Sequence, residues 1–279
     1  MRPFLSFLTD FGPDSAPAIC RGVMLAIAPD AQIVDISHSV RKYAIRDGAF
    51  LLWCSLPWMP VGVNVAVVDP GVGTARRPIG LLTKRGDVLI GPDNGLLTAA
   101  ADRLGGIVSA RALENREWML PETSSTFHGR DIFAPMGAHV AASGAFEGVG
   151  PAIDMASLVS LRFPAPVISP GAIETSVIYA DSFGNLRLAG FPNDLFAALG
   201  PIDPGTQLRV EFGGVAGGGA GAAPIVEVAP WAKTFGEIPL GKPLVYEDSF
   251  GELAYADNQG NVASRLGIGI DRTVRITLA

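Results

Sequence analysis

Short apolar runs alternate with a helical periodicity through the first half of the chain. Residues 4–8, 32–36, 63–68 and 88–90 are largely apolar stretches of strand length, the pattern of strands buried on both faces. Between the first two, Ile19, Val23 and Ile27 recur at i, i+4 and i+8, one face of a helix that Pro29 ends. The same reasoning predicts a second helix over 47–53, entered at an Asp47 cap, and a third over 132–142. Strands alternating with helices predict a mostly parallel sheet with helices on its faces.

The pattern changes at 163–170, where three prolines in seven residues favour an extended connector. Beyond it, 174–179, 207–212, 225–228, 243–246, 252–255 and 274–278 are short β-rich runs separated by turn residues. The expected architecture is therefore an α/β protein. Residues 1–163 make an N-terminal α/β domain with a mostly parallel sheet flanked by helices, 164–171 a proline-rich linker, and 172–279 a smaller C-terminal β-barrel-like domain. Residues 213–223 are almost all Gly and Ala, bury little, and are expected to be a flexible hairpin tip without a functional role.

Composition narrows the class. Hydrophobic residues make up 48% of the 279 and charged residues 17%, a balance that packs a core and does not suit a disordered chain. A net charge of −6, with basic pairs as short as Arg41-Lys42 and Arg76-Arg77, argues against nucleic acid as a partner. No apolar stretch reaches about 18 residues and the N-terminus lacks a signal-peptide pattern, so a cytoplasmic protein without a membrane span is expected. Cys20 and Cys54 lie in apolar surroundings without metal-ligand spacing and read as buried free thiols.

Candidate chemistry gathers at the ends of strands. Asp10, Asp69, Asp93 and Asp181 each follow an apolar run, and ligands of open α/β sheets bind beyond the carboxyl ends of strands. Such carboxylates, converging on one cleft, would chelate a divalent cation, act in acid/base chemistry, or accept hydrogen bonds from a vicinal diol such as a ribose. The metal reading is weakened because His38, His128 and His139 form no ligand pattern. Asp69 enters a Pro/Gly turn, with Arg76 seven residues on, and Ser124-Ser-Thr-Phe-His-Gly-Arg-Asp131 places His128 before a helix. Taken alone, Asp-Pro-Gly is also an ordinary turn, and Asp93-Asn94-Gly95 reads as a turn before it reads as a site. Arg130 and Asp131 read as a local ion pair. Asp181 and Asn185 offer an acceptor and an amide from one tight turn; Tyr43 and Phe235 are stacking surfaces or core aromatics. Nucleophile-elbow and phosphate-loop motifs are missing from the chain.

Six motifs, taken together, carry a resemblance. Leu8-Thr-Asp-Phe-Gly12, Val34-Asp-Ile-Ser-His38, Val67-Val-Asp-Pro-Gly-Val-Gly-Thr74, Gly91-Pro-Asp-Asn-Gly95, Ser125-Thr-Phe-His-Gly-Arg-Asp131 and Phe183-Gly-Asn185 span nearly the whole chain. In that order they resemble the S-adenosyl-L-methionine (SAM) hydroxide adenosyltransferases, relatives of the SAM-dependent fluorinase and chlorinase. The resemblance implies attack of water or hydroxide on the ribose C5′ of SAM, releasing adenosine and L-methionine, with no cofactor and no metal. It makes Asp69, Arg76 and His128 the water-holding set and Asp10 the ribose-binding carboxylate. Asp181, Asn185 and Ser249 become contacts to the methionine end, Tyr43 a ring near ribose and methionine, and Phe235 an adenine-stacking ring. It also implies a homotrimer with inter-subunit active sites. The 248–258 segment departs from the common pattern at Phe250 and Asp257.

Other readings compete. A SAM-dependent halogenase would resemble this chain but lack the Asp and His of the water-holding set, and a carboxylate at Asp69 repels halide. A non-catalytic SAM or nucleoside-binding protein would use the same ribose-binding carboxylates, and a metal-dependent phosphoesterase the strand-end aspartates.

Overall fold

The computed structural model describes residues 2–215 and 223–279. They divide between Arg162 and Phe163 into two compact units. In the first, β1 (Phe4–Thr9), α1 (Ser15–Ile27), β2 (Gln32–Ser37), α2 (Ile45–Ser55) and β3 (Val63–Val67) are followed by β4 (Pro78–Thr83), β5 (Val88–Pro92), α3 (Thr98–Arg103), β6 (Ile107–Ala112) and α4 (Ala134–Ser143). The sheet runs β2-β1-β3-β5-β4-β6; β2, β1, β3 and β5 are parallel, and β4 is antiparallel to both its neighbours. The mostly parallel sheet expected from the pattern is present.

Period-two alternation explains the layers. Leu5 and Phe7 of β1 join Met24 of α1 and Met136 of α4 in one core, while Leu8, on the opposite face, lies near Gly48 of α2. From β1 the chain passes to β2 on one side, then returns to β3 on the other. Beyond the ends of β1 and β3 it therefore leaves a crevice, the switch point at which open α/β sheets bind ligands. Asp10 directly follows β1, and Asp69 lies two residues past the end of β3.

Three expectations need correction. The second helix begins at Ile45, so Asp47 is no cap; it is buried in the first turn and accepts from Arg41 (Nη2 to Oδ1, 2.8 Å). The third is α4, preceded by a π-helical turn over Gly129–Phe133. β4, β6 and α3 went unread because their apolar runs are short and lack a clean period.

The second unit contains β7 (Val167–Ser169), β8 (Ala172–Ala180), β9 (Leu186–Leu188), α5 (Pro192–Leu199), β10 (Gln207–Val215), β11 (Ile225–Pro230), β12 (Pro243–Glu247), β13 (Leu253–Asp257), α6 (Val262–Leu266) and β14 (Arg272–Leu278). Its antiparallel sheet runs β11-β10-β14-β8-β9-β13-β12, and a bridge between Trp231 and Val245 nearly closes it into a barrel. The proline-rich stretch is not simply a connector, since β7 pairs with β8. Of the expected hairpin tip, 216–222 lie outside the described residues. No described helix is long and apolar enough to cross a membrane.

Candidate functional site

Asp69 leaves β3 into a turn closed by Val72 N to Asp69 O (3.3 Å) and Thr74 Oγ1 to Gly71 O (2.7 Å). This reversal returns Arg76 to Asp69 as a fork: Nε donates to Oδ1 at 3.1 Å and Nη2 to Oδ2. Both side chains are buried, at 4% and 7% exposure for Asp69 and Arg76, and Phe133 lies 5.2 Å from the guanidinium. A fork-to-fork pair fixes orientation as well as charge. Arg76 Nη2 also lies 3.2 Å from His128 Nδ1, while the buried Nη1 has no acceptor among the described residues.

The His128 segment is seated from beneath. Asp131, fully buried, accepts from Arg130 Nε (2.6 Å) and from Ser124 N (2.8 Å), which draws the segment into a tight loop. Gly73, at φ +76°, brings the Asp69 turn against it: a Cβ there would stand 2.4 Å from the Ser125 carbonyl oxygen. Because an arginine has no acceptor, Nδ1 of His128 must accept from Nη2, and the ring proton resides on Nε2. Burial first, then the Arg76 charge, holds His128 below its ordinary pKa, so the neutral ring is favoured.

Asp10 accepts the Tyr43 N–H at 2.9 Å. Tyr43 holds a left-handed backbone (φ +66°) with its side chain 70% exposed, a strained conformation of the sort that clusters at ligand sites. Asp10, Tyr43, Asp69 and His128 line one cavity of about 230 Å³. Arg76 acts behind its wall.

Of the three strand-end aspartates in this unit, Asp10 and Asp69 line the cavity and Asp93 does not. Asp93 is tied to Arg77 (Nε to Oδ2, 3.0 Å) and accepts from Val159 N (2.9 Å), a structural pairing away from the cavity lining. Asp181 belongs to the second unit. Among the described residues, no three His, Cys, Asp or Glu side chains are grouped as metal ligands would be.

The second unit has its own cavity of about 800 Å³, lined in part by Asp181, Asn185, Arg187, Phe235, Tyr246 and Ser249. Asp181 Oδ1 accepts the N–H groups of Phe183 and Asn185 (both 2.9 Å), and Oδ2 accepts from Asn185 Nδ2 (3.0 Å). Phe235 packs edge-on against Tyr246, whose hydroxyl burial pushes up to about 12. Asp257 brings no uncompensated charge to this wall, because Arg265 forks onto it with two bonds of 2.7 Å. The sequence reading missed Arg187 and Tyr246. The signal for Arg187 was available as a lone charge between two leucines of an alternating strand.

Comparison with known proteins matches both units. The SAM hydroxide adenosyltransferase N-terminal domain model covers residues 5–150 and the corresponding C-terminal domain model residues 175–275. A protein of Salinispora tropica named (R)-S-adenosyl-L-methionine hydrolase is 40% identical over 278 residues, 99% of this chain and 98% of that one. A fluorinase of Actinoplanes sp. is 30% identical over 100% of this chain and 98% of its own. The crystal structure of an uncharacterized conserved protein from Thermotoga maritima superposes with a TM-score of 0.88 at 32% identity, covering 98% of this chain and 99% of that one.

Proposed function

The chain belongs to the SAM hydroxide adenosyltransferase family, and from that premise we propose that Asp69, Arg76 and His128 hold the water that attacks SAM. The reaction is hydrolysis of SAM to adenosine and L-methionine. The observation that carries the residue assignment is the Arg76 guanidinium, forked onto Asp69 and donating to His128 Nδ1. It leaves Asp69 as an acceptor and His128 Nε2–H as a donor on the same cavity wall. A water accepting from Nε2–H and donating to Asp69 has a lone pair left for C5′. The O–C5′ bond forms as the C5′–S pair departs on methionine as a neutral thioether; the proton the water donates to Asp69 passes to it and then to solvent, and the other remains on the new 5′-hydroxyl. The sulfonium is already a good leaving group, so orientation and exclusion of bulk water are the protein's main contributions.

Asp10 fits the ribose hydroxyls, with Tyr43 beside them; Asp181, Asn185 and Ser249 fit the methionine end, and Phe235 the adenine. A cavity of about 230 Å³ is small for the whole of SAM. In keeping with that, and as the family resemblance implies, we assign the active site to one copy's first unit and a neighbouring copy's second unit within a homotrimer. No metal takes part, and the buried thiol of Cys20 suits the reducing cytoplasm, where we place the reaction. The curated hydrolases are named for the (R) form of SAM, and we extend that preference to this chain. Halide transfer is not favoured, because Asp69 presents a carboxylate where a halide would have to approach.

The test is turnover of each SAM epimer in oxygen-18 water with chelator present, with and without chloride. Adenosine carrying heavy oxygen at C5′ is expected, from a species whose light-scattering mass is that of three chains. A 5′-chloro product, loss of activity to the chelator, or a fully active monomer would each overturn the corresponding part.

The pH dependence follows from His128. Its neutral ring is the working form and its pKa lies below the ordinary value of 6.5, so the acid limb of kcat/KM should have its midpoint below pH 6.5. Stability moves with the same sign. The unfolded imidazole takes up its proton near 6.5 and the folded one lower, so stability declines as pH falls through that interval and levels beneath it. His139, lowered by burial, adds to the decline. A pH–rate profile alongside NMR titration of the histidines checks this; an acid limb centred above 6.5 would contradict it.

A further inference from the structure

Strand β9 reads Leu-Arg-Leu, with Leu186 and Leu188 fully buried and Arg187 turned to the opposite face by the two-residue period. The Arg187 side chain is only 13% exposed. Its Nη1 pairs with the buried Asp248, and its guanidinium carbon lies 4.6 Å from the centre of the Phe250 ring. Asp248 is anchored in turn, its Oδ1 accepting from Phe250 N at 2.7 Å and Glu252 N at 3.0 Å. The guanidinium is thus held both by charge and by stacking. Among the described residues lining the second-unit cavity, Arg187 is the only cation.

The methionine end of SAM is a zwitterion, and both of its charges lose water on binding. Asp181 offers the ammonium group an acceptor. The carboxylate needs a cation, and the other charged lining residues, Asp248 and Asp257, are anions, the latter already matched by Arg265. A guanidinium carries five N–H donors in a rigid fork and serves two carboxylates at once. We infer that Arg187 binds the α-carboxylate of SAM, with Asp248 and Phe250 fixing its orientation, and so selects substrates that carry that carboxylate. This rests on SAM as substrate and on the second unit as the seat of its methionine end.

The experiment compares SAM with its decarboxylated analogue, which lacks only the α-carboxylate, on the full-length protein and on Arg187→Met and Arg187→Lys. The unaltered protein is expected to prefer SAM by about 10- to 100-fold in kcat/KM, as for a charge-assisted hydrogen bond. In Arg187→Met the preference should collapse toward one, through loss of SAM turnover while the analogue changes little, and Arg187→Lys should retain part of it. The loss should appear mainly in KM, because the methionine carboxylate is remote from C5′. A purely structural role would lower both substrates alike and leave the ratio intact, which would overturn the inference while SAM hydrolysis stands. A ratio near one in the unaltered protein would overturn it without any variant. Turnover of neither compound would instead overturn the reading on which it rests.

Discussion

Replacing Asp69 by Asn should lower kcat for SAM hydrolysis by about 100- to 1,000-fold with KM little changed, the loss characteristic of a group that orients and accepts from the nucleophile. Asn keeps the shape of the side chain but cannot take a proton from water. The same change removes the charge opposite Arg76, and both side chains are almost wholly buried. A buried guanidinium left without its counter-charge costs about 3–5 kcal/mol, so a lower unfolding temperature should accompany the kinetic loss. Turnover and thermal unfolding must therefore be measured together, at a temperature where the variant is folded. Wild-type turnover in a folded Asp69→Asn protein would remove Asp69 from the mechanism.

Gly73→Ala should also lower turnover, although Gly73 contacts no reacting atom in the proposed mechanism. Its backbone sits at φ +76°, and an added Cβ would stand 2.4 Å from the Ser125 carbonyl oxygen. Left-handed backbone costs a non-glycine residue about 1–2 kcal/mol, and the backbone clash forces the Asp69 turn and the His128 segment apart. A displacement of about 1 Å in a positioning element can cost on the order of 100-fold in rate. The expected result is a fall in kcat/KM of at least about 10-fold with the bulk of the fold retained by circular dichroism. Full activity would mean that the two motifs do not depend on this contact for their alignment.

Much of the first unit was legible because its cues are local. The runs at β1, β2, β3 and β5 and the helical face of α1 declare themselves within a few residues. β4 and β6 did not, since a strand such as Pro-Ile-Gly-Leu-Leu-Thr has no period to distinguish it from any buried segment. At the site, Asp69 and Arg76 were legible as partners because the turn between them is short and its Pro and Gly dictate the reversal. Arg77, the very next residue, pairs with Asp93, which the strand-end pattern had offered as a cleft candidate but the Asn-Gly turn signal had already discounted.

By itself, then, the sequence determined the two-part pattern of α/β followed by β, the turn that returns Arg76 to Asp69, and the motifs that reveal the family. These depend on periodicity and on backbone preferences that act over a few bonds. Only the tertiary structure decided which aspartates face a cavity, that His128 meets Arg76 across 52 residues of chain, and that Arg187 is held on Phe250 by Asp248 from 61 residues away. Such pairings are set by strand order and sheet register, which bring distant residues within hydrogen-bonding distance and leave no periodic trace in the chain.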